Sequence, residues 1–147
     1  MIPYGTLLTV EITGFTSDGD GLAHWQGQEV RVFGALPGET VKAEFRRQKR
    51  QYMFAETIEA LVASPSRVKP ACRYFGVCTG CQWQHVDYTY QLELKTERVR
   101  EAIGAVGLDR AIVRQTLGAV NPFNYRNHAR FSVGREGKVG FVHRETR

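Results

Sequence analysis

The first sixty or so residues constrain the fold most strongly, because short alternating apolar runs are broken repeatedly by glycine-containing turns. Thr6 to Ile12 alternates around Leu8, Val10 and Ile12, the period of a strand with one face in a core. Ser17-Asp-Gly-Asp-Gly21 reads as a turn, and Leu22 to Trp25 resumes extended chain. Gln26-Gly-Gln28 then turns into Val30-Arg-Val-Phe33, and Leu36-Pro-Gly-Glu39 punctuates before Thr40-Val-Lys-Ala-Glu-Phe45. Arg46-Arg-Gln-Lys-Arg50 reads as a basic hairpin tip, and Tyr52 to Val62 as a long last strand. A sheet this small leaves costly open edges, and closing it removes them. The expectation is a five-stranded OB-like barrel, with a sandwich of two small sheets as the alternative.

Ser64-Pro-Ser-Arg-Val-Lys-Pro70 changes the composition abruptly, and its two prolines favour an extended connector. All three cysteines follow within Ala71 to His85, at Cys72, Cys78 and Cys81, with Gly76 and Gly80 allowing the backbone to fold tightly. Thiolate is the soft ligand of iron–sulfur clusters and zinc, and C-x5-C-x2-C supplies three of the four ligands such a centre normally needs. Three readings stand beside one another. One is an iron–sulfur cluster, one a closed zinc site of Cys72, Cys78, Cys81 and His85, and one a set of free, packed thiols. The spacing differs from the C-x3-C-x2-C of radical S-adenosylmethionine chemistry. For His85, packing or capping is favoured over ligation.

Asp87 is placed to cap a helix from near Tyr88, along which Leu92, Val99, Ile103 and Val106 recur at helical spacing until Gly107 stops it. Asn121 to Tyr125 then turns into Ala129 to Val133, and Gly134 to Lys138 returns the chain into Val139 to Val142. One helix and one hairpin bury little, so this half reads as the opening of a larger α+β domain.

Twenty Lys and Arg against fifteen Asp and Glu give a net charge of +5, which suits a polyanionic partner. Arg46, Arg47, Lys49 and Arg50, with Tyr52 and Phe54 beside them, can track phosphates while a ring stacks a base; a merely solvated hairpin is the alternative. Strand alternation would put Arg126, His128 and Arg130 on one face beside Tyr125 and Phe131, or on a plain polar surface. His24 and His143 carry no partner pattern. Gly134, Gly137 and Gly140 are not spaced as a dinucleotide fingerprint, so no nucleotide cofactor site is expected. The chain shows no basic leader before an apolar run and no stretch near the roughly 20 apolar residues of a membrane span. A monomeric, cytoplasmic protein that binds neither membrane nor DNA is expected, its odd number of thiols reduced.

The whole arrangement resembles the N-terminal part of the iron–sulfur RNA uracil-5-methyltransferases, the 23S rRNA (uracil-5-)-methyltransferase group. Gly19-Asp-Gly-Leu-Ala23, Gly34-Ala-Leu-Pro-Gly-Glu39 and the basic hairpin resemble that family's TRAM domain. Cys72 through His85, then Tyr88, Gln91, Lys95 and Val99, resemble its cluster segment and helix, and Tyr125-Arg-Asn and Gly140-Phe141 the start of its central domain. The resemblance divides the chain into a barrel at 1–64, a linker at 65–71, a cluster loop at 72–86 and a truncated central domain at 87–147. It implies a [4Fe-4S] cluster on Cys72, Cys78 and Cys81, with a fourth cysteine outside this chain, and ribosomal RNA as the partner. It places S-adenosylmethionine and the catalytic thiolate in a further Rossmann-like domain. Adding a methyl group at carbon 5 of uracil needs a nucleophile at carbon 6, a bound donor and a base. None of these is among the residues here, so no catalytic residue is expected and the chain alone is expected to be inactive. A stand-alone RNA-binding module with a Cys3His zinc site is the rival.

Overall fold

A computed structural model of the 147-residue chain describes residues 2–144. They form two units, one of residues 2–85 with 142–144 and the other of residues 86–141.

The first unit is a six-stranded sheet: β1 (Leu7–Glu11), β2 (Gly14–Phe15), β3 (Gly21–Trp25), β4 (Gln28–Phe33), β5 (Thr40–Gln48) and β6 (Met53–Val62). Its order is β1-β5-β6-β4-β3-β2, antiparallel throughout except for β4 beside β6. The expected five strands become six because the first run breaks at Ile12 and Thr13. There the backbone leaves β5, and Thr13 N–H donates to the Leu22 carbonyl of β3 at 2.8 Å. Both edges of the sheet thus come from one stretch of chain, which forces the sheet to curl. The alternation does the rest. Leu8, Val10, Ile12, Ala23, Val30, Val32, Val41, Ala43, Phe45, Met53 and Ala55 all point inward and are almost wholly buried, each larger one worth about 1.5–3 kcal/mol of transfer free energy. The β3–β4 hairpin turns on Gln26 and Gly27, both at positive φ (49° and 78°), the backbone of a type I′ turn whose twist matches its strands.

The second unit holds α1 (Tyr88–Ala105), a single 3-10 turn at Arg110–Ile112, and the short hairpin of β7 (Ser132–Val133) and β8 (Val139–Gly140). Asp87 caps α1 as expected, its carboxylate accepting from the N–H groups of Thr89 (2.9 Å) and Tyr90 (3.2 Å). Gly107, at φ 79°, ends it by donating to the Gly104 carbonyl. The apolar stripe along the helix is only partly covered, with Leu92 and Ile103 half-buried. Val99 is 49% exposed and Val106 is exposed too, because irregular chain follows α1 and offers no second layer for the stripe to enter. Polar contacts pin that chain instead. Thr96 Oγ1 lies 2.9 Å from Thr116 Oγ1, Arg110 pairs with Glu97, and Ala119 N–H donates to the Tyr88 hydroxyl at 2.8 Å. The expected hairpin forms with only two residues per strand, held by Phe131 against Phe141. No described helix is long and apolar enough to cross a membrane.

Candidate functional site

The basic cluster is built differently from a loop. Arg46 and Arg47 lie within β5, and only Lys49 and Arg50 occupy the turn to β6. The register slips between Phe45, opposite Ala55, and Arg47, opposite Phe54, which leaves Arg46 as the extra residue of a bulge. Its guanidinium is held by Glu56 (2.9 Å), Glu44 (3.2 Å) and the Tyr4 hydroxyl (2.9 Å). Arg46 therefore belongs to the charge network of the sheet surface, whereas Lys49 and Arg50 present exposed cations. Arg47 lies over the Phe54 ring at 4.9 Å, and Arg31, paired with Glu29, covers the Tyr52 ring at 3.8 Å. Two of the rings expected to stack bases already carry a guanidinium on one face.

Arg126 and Arg130 belong to the other unit, exposed and outside β7. Strand alternation does not apply to them or to His128. Arg126 lies 5.9 Å from the Tyr125 ring.

The cysteine loop docks on the sheet through the residues that follow it. Trp83 Nε1 donates to the Gly19 carbonyl at 2.8 Å, its ring lies 5.3 Å from that of Phe15, and Gln82 reaches the Asp20 carboxylate. A side chain at Gly19 would meet the Trp83 ring at 3.0 Å on a backbone already at φ 85°, so glycine is required there. Residues 142–144 close the other side: Thr79 donates to the Val142 carbonyl, and Arg144 N–H to that of Val77. Within the loop Gln84 spans two cysteines, accepting from Cys72 N–H at 3.1 Å and donating to Cys81 Sγ at 3.1 Å, while Gly80 N–H points at Cys78 Sγ at 3.3 Å. All three thiols are free. Donors aimed at sulfur suit thiolate. Among the described residues, however, no three His, Cys, Asp or Glu side chains converge into a set that could hold a metal ion. The cysteines present do not by themselves complete a centre.

His85 takes the packing role. It is 2% exposed, with its ring 5.3 Å from Phe75. Burial and the nearby Arg67 cation push its pKa down from the usual histidine value to about 4, against the opposing pull of Glu39 and the Ala35 backbone, so the imidazole is neutral.

Sequence reasoning missed the lock beside it. Glu39 is fully buried, and its carboxylate accepts two hydrogen bonds of 2.6 Å from Arg67, with others from Leu36 N–H (2.8 Å) and Ser64 N–H (3.0 Å). Arg67 also donates to the Gly34 carbonyl at 2.7 Å. Burial alone would raise the Glu39 pKa, but these bonds outweigh it and hold the carboxyl below the ordinary range. The linker is thereby clamped to the sheet. The available signal was one arginine between two prolines, with its partner 28 residues away, a spacing no local pattern exposes. An aromatic row was missed as well: Arg144 sits 3.4 Å over the Phe33 ring, and Phe33 lies 5.6 Å from Phe75.

Comparison with known proteins bears on the same residues. Residues 4–58 match the TRAM domain. An uncharacterized RNA methyltransferase of Gloeobacter violaceus is 34% identical over 97% of this chain and 32% of its own length. Another from Halalkalibacterium halodurans is 39% identical over 89% of this chain and 29% of its own. The 23S rRNA (uracil(1939)-C(5))-methyltransferase RlmD of Alkalilimnicola ehrlichii is 37% identical over 90% and 30%. The chain spans about a third of the length of the curated relatives it matches. It carries a TRAM domain and corresponds, over most of its residues, to the N-terminal part of homologues named RNA methyltransferase.

Proposed function

We propose that these residues are the RNA-gripping, [4Fe-4S]-bearing portion of an S-adenosylmethionine-dependent RNA uracil-5-methyltransferase acting on ribosomal RNA. The observation that carries this reading is the TRAM match at 4–58, continuous with a cysteine loop, in a chain that aligns with RNA methyltransferases over nearly its whole length. Cys72, Cys78 and Cys81 would hold the cluster with a fourth thiolate from outside these residues, and Gly80 N–H and the Gln84 amide donate to the sulfurs of Cys78 and Cys81. The cluster supplies architecture, since methyl transfer to uracil needs no electron. Lys49 and Arg50 meet phosphates, and the adjoining rings meet bases. Methyl transfer itself belongs to the complete enzyme, where the target uracil is turned out of its stack. The Cys3His zinc alternative is weakened by His85, which packs on Phe75 and joins no set of three donors among the described residues.

Oxygen-free purification tests the metal. Iron and acid-labile sulfide are expected with visible absorbance, lost in Cys72→Ser, Cys78→Ser and Cys81→Ser; one zinc per colourless chain would support the rival. A salt titration of RNA affinity tests the grip. The double variant Lys49→Ala, Arg50→Ala is expected to bind more weakly and to flatten the slope of log affinity against log salt by about 1.4, roughly 0.7 per phosphate contact on a single strand. An unchanged slope would remove the β5–β6 turn from the interface. Arg46 is a poor probe, since its loss also breaks the Glu44 and Glu56 pairs.

A further inference from the structure

The linker and cysteine loop have a charge balance of their own. From Ala60 to Val86 the chain contains no Asp or Glu, against Arg67, Lys69 and Arg73. Arg67 is held by Glu39, but Lys69 and Arg73 are exposed, and among the described residues no carboxylate pairs with either. On its Phe75–Val77 side the loop borders a groove that Glu56 and Glu59 line together with Arg46, Arg144 and His143. Those two carboxylates are balanced by the two guanidinium groups, so the groove adds no net negative charge. The two cations without carboxylates leave the loop positive.

The same loop presents an aromatic ring to water. Two tight turns meet at Tyr74. Phe75 N–H donates to the Cys72 carbonyl at 3.1 Å, and the N–H groups of Val77 and Cys78 both donate to the Tyr74 carbonyl, at 3.2 and 2.9 Å. The Phe75 ring anchors the loop, 5.6 Å from that of Phe33 and 5.3 Å from that of His85, while Tyr74 stays 53% exposed. The Arg73 guanidinium lies 4.7 Å from the centre of the Tyr74 ring and donates to its hydroxyl at 2.6 Å. Ring and cation are thereby held together. An exposed ring backed by a guanidinium that no carboxylate occupies, with Lys69 four residues before it, suits a ligand that combines a flat face with negative charge.

We infer that the cysteine loop is a second RNA contact, in which Tyr74 stacks one unpaired base of a single strand while Arg73 and Lys69 meet the phosphates beside it. Every base has a π-face, so this contact holds the strand without choosing its sequence. The inference rests on the RNA-binding reading above and adds to it a site separate in the chain from the Lys49–Arg50 turn. Arg73 and Tyr74 stand between Cys72 and Cys78, so the loop that would hold the cluster is also a loop that meets RNA.

The test compares binding of the whole chain to two fluorescent single-stranded oligoribonucleotides of equal length, one of uridines and one abasic at its central positions, by anisotropy. The uridine strand is expected to bind more tightly, and Tyr74→Ala to reduce that advantage roughly tenfold, the scale of one base stacked on an aromatic ring. Tyr74→Leu, which keeps apolar bulk without a π-face, should do the same, and Tyr74→Phe should retain the advantage. Lys69→Gln with Arg73→Gln is expected to flatten the slope of log affinity against log salt by about 1.4 for both strands, roughly 0.7 per phosphate contact. An advantage untouched by Tyr74→Ala, or one that Tyr74→Phe also loses, would overturn this site while the RNA-binding reading stands. So would equal weakening of both strands by Tyr74→Ala, which would make the ring part of the fold, or a slope unmoved by the double variant. Failure of the unaltered chain to bind either strand would overturn both readings together.

Discussion

Glu39→Ala is expected to destabilise the first unit by about 3–5 kcal/mol, the cost of breaking a buried ion pair from one side. The variant leaves the Arg67 guanidinium without its bidentate partner and strips the N–H groups of Leu36 and Ser64 of their acceptor. Arg67→Ala should cost a comparable amount, since it strands a carboxylate with no solvent exposure. The pair is a clamp more than a source of net stability. Replacing both sides with apolar residues, Glu39→Leu with Arg67→Met, is expected to recover much of the loss. Urea unfolding of the two single variants and the double completes a thermodynamic cycle. Additive losses would show that the two side chains do not act as a pair.

The second large effect is on pH. In the folded chain His85 titrates at about 4, whereas in the unfolded chain it takes up a proton near the ordinary 6.5. Between those values the unfolded state binds more protons, so stability is full above pH 6.5, falls as pH drops toward 4, and is flat with respect to this group below that. At about 1.4 kcal/mol per pH unit the loss is about 3 kcal/mol. Glu39 acts in a lower window. Its carboxyl is held below 4.5, so its contribution is present above 4.5 and is lost only as pH falls through the lower folded value. Urea midpoints across pH 4 to 7 check this, and His85→Phe should flatten the curve above pH 4.5 while leaving the Glu39 decline. A wild-type curve flat from 6.5 to 4.5 would contradict the buried, neutral imidazole.

Much of this was legible from residue order. Period-two alternation placed the buried side of the first strand at Leu8 and Val10, since a pleated backbone sends successive side chains to opposite faces; β6, buried at Met53, Phe54 and Ala55 in succession, does not follow it. Gln26-Gly27 and Asp87 announced a turn and a cap through local chemistry alone. The places where local reasoning stopped short share a cause. The bulge at Arg46 depends on how β5 registers against β6, which no single strand encodes, so a cluster read as a free basic tip proved to be half ion-paired strand. The break at Ile12 and Thr13 likewise exists only because two different strands compete for one stretch. Along α1 the pattern pointed to an apolar stripe, yet amphipathicity states that a face needs cover and not whether the residues at hand provide it.

By itself, then, the order of residues determined most of the strands, the helix with its cap, the match of residues 4–58 to the TRAM domain and the likeness to proteins named RNA methyltransferase, all of which rest on near neighbours in the chain or on matching motifs. Only the tertiary structure decided that Glu39 would clamp Arg67 and that His85 would be buried and neutral. Those outcomes depend on groups tens of residues apart meeting where water is excluded, and there a charge or a hydrogen bond carries several times its weight at the surface.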